Sequence, residues 1–482
     1  MKTVGIIAEY NPFHSGHAYQ IRRAIELSGA DYVIAVMSPD FVQRGSLALI
    51  DKWTRARMAL SAGVSLVLEL PVCYASSSAE YFAEGGVSLL SSLGCVDFLS
   101  FGCESADLSI LENAADFFAD AAENGEPQEY RKLLQSKVKA GMPYPKARAE
   151  AYLAYLSGSP DFPQKIPGSR ISFRSIASGD EEIDEGIAAA RQLSLPNNIL
   201  AIEYLKALRK FHSDIEPLPI MRLGEGYHSV SQGSPVMGRI TSDTSRADTG
   251  RITVETGSFA DRGSYLSAES IRSLLHCGKA LPEGALPEVS RSLLLQARAD
   301  HALLFDEDLD RLLQMRLCEL ASQEKDADLT EYLDVTGDLA NRIRKNFDRY
   351  ESFDQFVSLL KTRDMTETRI RRSLTHILLG IRTEKVESFR AFCPAKYARI
   401  LGFRKDAAPL LRQIRTHSQL PLVANVPDAM HISARTGEGM LDQEARTMLN
   451  ETLYSSRIYN LALQYKTGRR MVSEYRRQHV IL

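Results

Sequence analysis

From Lys2 to Ala122 the apolar positions fall into two alternating patterns. Short runs that are apolar almost throughout ("KTVGIIAEY", "DYVIAVMS", "VSLVLELP" and "VDFLSFG") have the length of strands. Between and after them, "SGHAYQIRRAIELSG", "KWTRARMALSAG", "AEYFAEGGVSLLSSLG" and "SADLSILENAADFFADAA" space their apolar residues as helices do, for example Ala18, Ile21, Ala24 and Ile25. Gly63 closes the second helix. Strands alternating with helices, each strand apolar on both faces, predict an α/β fold with a doubly wound parallel sheet. Ligands of such sheets bind beyond the carboxyl ends of the strands. Three loops lie there: "NPFHSGH" after strand 1, "SPDFVQRG" after strand 2 and "FGCES" after strand 4.

From Glu126 the pattern turns helical, with "PYPKARAEAYLAYL" and "PNNILAIEYLKALRKF". "PLPIMRLGEGYH" reads as a strand and a glycine turn. Residues 229–264, rich in Ser, Thr, Gly and Asp, read as a polar insertion. "LSAESIRSLLHCG" starts another helix, and the chain from Leu281 is mostly helical with few strand signals. The expected division is a 1–280 α/β domain and a 281–482 helical domain.

The 482 residues are 44% hydrophobic and 25% charged, as in ordinary soluble proteins. No window is apolar over the roughly 18 residues a membrane span needs. The opening residues turn polar too soon for a signal peptide. Cys73, Cys95, Cys103, Cys277, Cys318 and Cys393 form no CxxC pair and read as reduced thiols, consistent with a cytoplasmic chain. The net charge of −3 hides an asymmetry. Residues 341–482 carry 26 Lys and Arg against 14 Asp and Glu, a net of +12, leaving −15 on the rest. A basic third carrying scattered Tyr and Phe points to a polyanion such as nucleic acid.

"NPFHSGH" has specific chemistry at a strand-to-helix junction. A helix start offers free N–H groups and a positive dipole end to phosphate. Gly16 permits close approach of a ligand. His14 and His17 can turn to one side and donate hydrogen bonds to charge developing on departing pyrophosphate. The loop resembles the HxGH signature of the nucleotidylyl-transferase superfamily, which includes class I aminoacyl-tRNA synthetases and small adenylyltransferases.

Further stretches narrow the resemblance. "GIIAEYNPFHSGHAYQI", "MSPDFVQRGSLALIDKWTRARMAL", "LVLELP", "FGCES", "LPNNILAIEYLKAL", "IMRLGEGYH" and "SAESIR" occur in that order, followed by "TRDMTETRIRRSLTHILLGI" and "KYARILGF". Together they resemble the bacterial tRNA(Met) cytidine acetate ligase family over most of the chain. That resemblance implies a HIGH-type, Rossmann-like nucleotidyltransferase domain ahead of a helical C-terminal domain. It implies that acetate and ATP give acetyl-adenylate and pyrophosphate, and that acetyl then passes to N4 of the wobble cytidine of elongator tRNA(Met). ATP is then a substrate, Mg²⁺ is expected with it, and acetyl-CoA is not needed. Acetate and the tRNA are the partners, with no membrane and no protein partner implied.

Carried over by motif, the ATP loop covers Ile7, Ala8, Glu9, Tyr10, Asn11, Pro12, Phe13, His14, Ser15, Gly16, His17, Ala18, Tyr19 and Gln20, with His14 and His17 catalytic. Gly102, one of Asn197 and Asn198, and Arg222 match further ATP contacts. Either Asn also suits a helix N-cap, and a lone Arg usually serves a surface salt bridge. Ser267, Ser270 and Arg272 of "SAESIR" resemble a second phosphate signature, and equally a capped helix. Gln43 and Arg44 are candidates for acetate or RNA. The family's "SGNFVQRG" reads "SPDFVQRG" here, where Pro39 stiffens the loop and Asp40 adds charge. An acidic "GDEEIDEG" and the long 229–264 stretch are further departures.

Bases of an anticodon loop are recognised splayed out and stacked, while basic residues hold the phosphates. Arg369, Arg372, Arg469, Arg470, Arg476 and Arg477, with Tyr465 and Tyr475, are the candidates for RNA contact. His376 reads as a packed histidine. Two other classes remain open on sequence. A small-molecule nucleotidyltransferase leaves the basic third unexplained. A non-catalytic RNA-binding protein leaves the intact histidine loop unexplained.

Overall fold

The computed structural model describes residues 1–104, 108–158, 192–222, 265–322, 328–363, 365–391, 393–431 and 439–482. The glycine turn of "GEGYH", the acidic "GDEEIDEG" and the 229–264 insertion lie outside them.

The alternating part reads as expected. It runs β1 (Thr3–Ala8), α1 (Ser15–Ser28), β2 (Tyr32–Met37), a β3–β4 hairpin (Phe41–Val42, Ser46–Leu47), α2 (Lys52–Ser61) and β5 (Leu66–Glu69). Then come α3 (Val72–Ala75), α4 (Ala79–Ser92), β6 (Phe98–Cys103), α5 (Leu108–Asn124), α6 (Gln128–Lys139) and α7 (Tyr144–Gly158). α8 (Pro196–Lys210), β7 (Glu216–Met221), α9 (Ala268–His276) and α10 (Glu288–Ala299) follow. The remainder holds α11 (Asp310–Ala321), α12 (Gly337–Lys345), α13 (Phe353–Leu360), α14 (Glu367–Leu379) and α15 (Thr383–Arg390). Last are β8 (Ala398–Phe403), α16 (Ala408–His417), β9 (Leu422–Val423), α17 (Val426–Met430), α18 (Gln443–Thr467) and β10 (Val480–Ile481).

Eight strands form the main sheet, in the order β10-β8-β5-β2-β1-β6-β7, with β9 beside β8. β1, β2, β5, β6 and β7 are mutually parallel, so their carboxyl ends share one edge. Side-chain alternation divides the core. Val4, Ile6, Val33, Ala35 and Met37 face α1, α2, α9 and α10. Ile7, Ile34, Val36, Leu66 and Leu68 face the side of α4, α5, α8 and α18. Apolar runs with no polar face are therefore what a sheet covered on both sides requires.

The difference from the sequence reading lies in the C-terminal third. It is mostly helical, yet β8, β9 and β10 enter the same sheet. β8 runs antiparallel to β5, pairing Leu68 with Ile400 and Glu69 with Arg399. The sheet therefore takes strands from both sides of the 280/281 position. A six-residue strand whose partner lies over 300 positions away carries no local signal that separates it from a buried helical turn.

Candidate active site

β1 ends at Ala8, and the chain turns through Tyr10, whose φ of 49° is left-handed. The Tyr10 ring is buried and sets its edge against Phe13 at 4.8 Å and His17 at 4.9 Å. Asn11 braces the turn. Its Oδ1 accepts from Leu49 N–H at 2.8 Å, and its carbonyl accepts from the Arg272 guanidinium at 2.6 Å. The buried Asn11 Nδ2 and Tyr10 Oη have no hydrogen-bond partner among the described residues.

His14 is the N-cap of α1. Its Nδ1 accepts the Gly16 N–H at 3.0 Å, and its own N–H donates to His17 Nδ1 at 3.2 Å. This is a capping box in which imidazoles stand where Ser and Glu usually do. The two rings stack with centroids 3.7 Å apart. Because each Nδ1 accepts, the ring proton of each neutral imidazole resides on Nε2. Burial, then the charge of Arg222, pushes the His14 pKa down to about 3. Burial, His14 and Arg222 hold His17 well below its usual range. Both rings are therefore neutral hydrogen-bond donors at physiological pH. Gly16 is required sterically, since a Cβ there would come within 2.9 Å of the His14 ring.

One expectation is corrected. The first-turn N–H groups of α1 are not free for phosphate. Ser15 N–H donates to Ala285 O at 3.1 Å, Gly16 N–H to His14 Nδ1, and His17 N–H to His14 O at 2.9 Å. Side chains must supply the donors instead.

At the carboxyl ends of β6 and β7, three motifs meet. The Arg222 side chain lies over Gly102, where an added Cβ would be 3.2 Å from Arg222 Cγ. Arg222 Nη1 donates to Asn197 Oδ1 at 2.6 Å, and Asn197 Nδ2 donates to Glu104 Oε1 at 2.6 Å. Asn198 is different. It is fully buried, accepts Glu104 N–H at 2.8 Å and donates to Gln192 O at 2.9 Å. Asn197 therefore belongs to the open polar chain, and Asn198 braces the turn beneath it. Gln20 donates to Ser100 O at 3.3 Å, tying α1 to β6.

Ser267 caps α9 through Ser270 N–H at 3.1 Å, and the two hydroxyls lie 2.9 Å apart. Arg272 gives one of its five N–H donors to the Asn11 carbonyl. Gln43 N–H donates to Glu9 Oε1 at 2.9 Å. Arg44 forms an exposed 2.9 Å bridge to Glu269, the ordinary surface use of an Arg. Arg372 pairs with Asp334 at 2.8 Å and Arg469 with Asp300 at 3.0 Å. Arg470 and Arg476 are exposed and Arg477 partly so, with no ion pair among the described residues. His376 is buried, between the carbonyls of Leu333 and Ser76. Among the described residues no group of three or more His, Cys, Asp or Glu could hold a metal ion.

Two residues were not legible as parts of the site. Glu104 sits inside the quoted "FGCES" but reads as an ordinary loop acid. Arg55, in the middle of α2, is fully buried and donates to the carbonyls of Glu9, Ser38, Pro39 and Ile50. It clamps the loop after β1 to the loop after β2. Asp40, the departure in "SPDFVQRG", is no surface charge either. It accepts Lys52 N–H at 3.2 Å and the Ser456 hydroxyl at 2.7 Å. Lys52 also bonds Glu69 at 2.6 Å and Glu474 at 3.0 Å, and Arg399 bonds both those carboxylates at 2.7 Å.

The sequence matches the HIGH Nucleotidyl Transferase family over residues 1–246 and 249–474. It is 34% identical over 465 residues to the tRNA(Met) cytidine acetate ligase of Thermoanaerobacter sp., covering 96% of each chain. It is 33% identical over 429 residues to that of Acetivibrio thermocellus, covering 89% of each. The chain belongs to the tRNA(Met) cytidine acetate ligase family. Thermotoga maritima TmcAL, solved bound with alpha-thio ATP, superposes over the whole of both chains with a TM-score of 0.77 at 28% identity. Membership makes this chain a ligase. The stacked histidines and the Arg222–Asn197–Glu104 chain occupy one edge of one sheet. No helix among the described residues is long and apolar enough to cross a membrane.

Proposed function

We propose that this ligase activates acetate with ATP and delivers the acetyl group to N4 of the wobble cytidine of elongator tRNA(Met), giving N4-acetylcytidine. The observation that carries this is the stacked His14–His17 pair, each Nδ1 accepting a backbone N–H so that Nε2 keeps the proton, with no bond to either Nε2 among the described residues, held within the field of Arg222. ATP then lies along the loop from Ile7 to Gln20, over Gly102, with Asn197 and Arg222 on its polar groups.

An acetate oxygen attacks the α-phosphorus in line with departing pyrophosphate. A carboxyl–phosphate bond forms as the bond to the β-phosphate oxygen breaks. The imidazole Nε2–H groups and the Arg222 guanidinium stabilise the developing charge. No protein nucleophile is required, so the site works by position and electrostatics. The cytidine amine then attacks the acetyl carbon, AMP leaves, and the amine loses a proton. The basic C-terminal third supplies attraction to the RNA. Names of relatives that modify tRNA(Met) and a neighbour bound with an ATP analogue support the reading.

The test is twofold. Pyrophosphate exchange into ATP should require acetate and no RNA. Mass spectrometry of elongator tRNA(Met) after reaction with ATP and labelled acetate should place one labelled acetyl on the wobble cytidine. Exchange driven by another acid, or acetylation that needs acetyl-CoA, would overturn the proposal.

A further inference from the structure

Away from the histidine loop, a cleft of about 250 Å³ opens where Ser78, Thr336, Arg369 and Thr383 meet, with Asp334 in its wall. Ser78 follows α3, which continues from the carboxyl end of β5. β5 is parallel to β1 through β2, so the cleft and the histidine loop share one edge of the sheet. The loop after β2 stands between them and rests on α14, where the Thr375 hydroxyl donates to Gly45 O at 2.8 Å.

Three arginines in the first turns of α14 have different fates. Arg371 is paired with Asp306 and Asp354, and Arg372 with Asp334. The Arg369 guanidinium has no hydrogen bond or ion pair among the described residues, and its Nε is buried without a partner. Its nearest carboxylate, Asp334, feels its charge but is bonded to Arg372, and a partly desolvated cation with no carboxylate of its own favours an anion. The hydroxyls around it are suited to one. Ser78 and Thr336 cap α4 and α12 by accepting Tyr81 and Leu339 N–H groups, each at 3.4 Å. Capping uses a lone pair and leaves the O–H proton free to donate. Thr383 heads α15. Three positive helix ends thus add to the arginine charge. Asp334 shares its charge between the Arg372 bond and the field of Arg369, so the two guanidiniums together outweigh the one carboxylate.

We infer that this cleft binds a backbone phosphodiester of the RNA substrate, an inference that rests on the function proposed above. It anchors the RNA two strands away from the ATP loop, so that a base held out from the strand can reach the adenylate.

The test uses the full chain and transcribed elongator tRNA(Met), with dissociation constants measured by fluorescence anisotropy at several KCl concentrations. Arg369→Gln should raise Kd about 3- to 10-fold and lower the slope of log affinity against log salt by about one. Arg369→Lys should keep the slope. Thr383→Glu places a carboxylate in the cleft at a helix start that tolerates acids, so it should fold and weaken binding at least as much. Thermal unfolding checks the fold of each variant. Wild-type Kd and slope in both Arg369→Gln and Thr383→Glu would overturn the inference. So would inorganic phosphate stabilising the wild type through Arg369 while RNA binding ignores that residue, which would assign the cleft to a free anion. A wild-type chain that fails to bind the tRNA at all would instead sink the proposed function.

Discussion

His14 and His17 hold each other. His14 Nδ1 accepts the Gly16 N–H of the first turn of α1, His17 Nδ1 accepts the N–H of the N-cap His14, and the rings stack 3.7 Å apart. One arrangement therefore caps the helix, fixes both tautomers and presents two Nε2–H donors. His17→Ala should lower acetate-dependent ATP–pyrophosphate exchange about 10²- to 10³-fold, the usual loss of one preorganised donor. Gly16→Ala, which drives a methyl into the His14 ring, should lower the rate in the same assay while leaving ATP-independent thermal stability within about 1 kcal/mol. A His17→Ala enzyme at full rate would remove the histidines from the mechanism.

The pH dependence of stability has a definite sign. His14 is buried neutral with a folded pKa of about 3, against 6.5 when unfolded. Between those values the unfolded chain binds a proton that the native chain does not. Stability is thus level above pH 6.5 and falls as pH drops toward 3, by about 1.4 kcal/mol per pH unit for this group. Glu474, held down to about 2 by Lys52 and Arg399 despite its burial, adds a loss in the same direction below pH 4.5. Urea unfolding from pH 8 to 4 should give a shallower fall for His14→Asn than for the wild type.

Asn197 and Asn198 are adjacent in sequence but separable in effect. Asn197→Ala breaks the link between Arg222 and Glu104 and should raise KM for ATP with a small change in melting temperature. Asn198→Ala leaves the Glu104 N–H and the Gln192 carbonyl unpaired, which should destabilise the fold by about 1–3 kcal/mol. Steady-state kinetics and denaturant titration on both variants check this, and equal KM effects would place both at the ATP.

The buried charges should behave as one unit. Arg399→Met leaves Glu69 and Glu474 short of a cation and should cost about 3–5 kcal/mol. The double variant Arg399→Met, Glu474→Gln should recover part of that loss, because fewer carboxylates are then unpaired. A double-mutant cycle in urea measures the coupling.

Local pattern carried far in this chain. The four strand–helix pairs follow from periodicity, because strands buried on both faces must be apolar along their length. The histidine loop follows from its junction. What was not legible depends on distant partners. Asp40 and Lys52 look like surface charges until Glu474 and Arg399 are brought to them. Arg55 looks like one of several helix arginines until four carbonyls converge on it. β8 is a short apolar run until β5 lies alongside. Free helix N–H groups were expected at α1, and His14 itself takes two of them, Gly16 N–H on its ring and His17 N–H on its carbonyl.

The antiparallel seam between β5 and β8 joins residues some 330 positions apart. As the chain emerges from a ribosome, β5 stays an unguarded edge until most of the protein has been made, and exposed edges invite pairing with other chains. A message cut short before Ala398 therefore yields an adhesive fragment rather than a free-standing nucleotide-binding half.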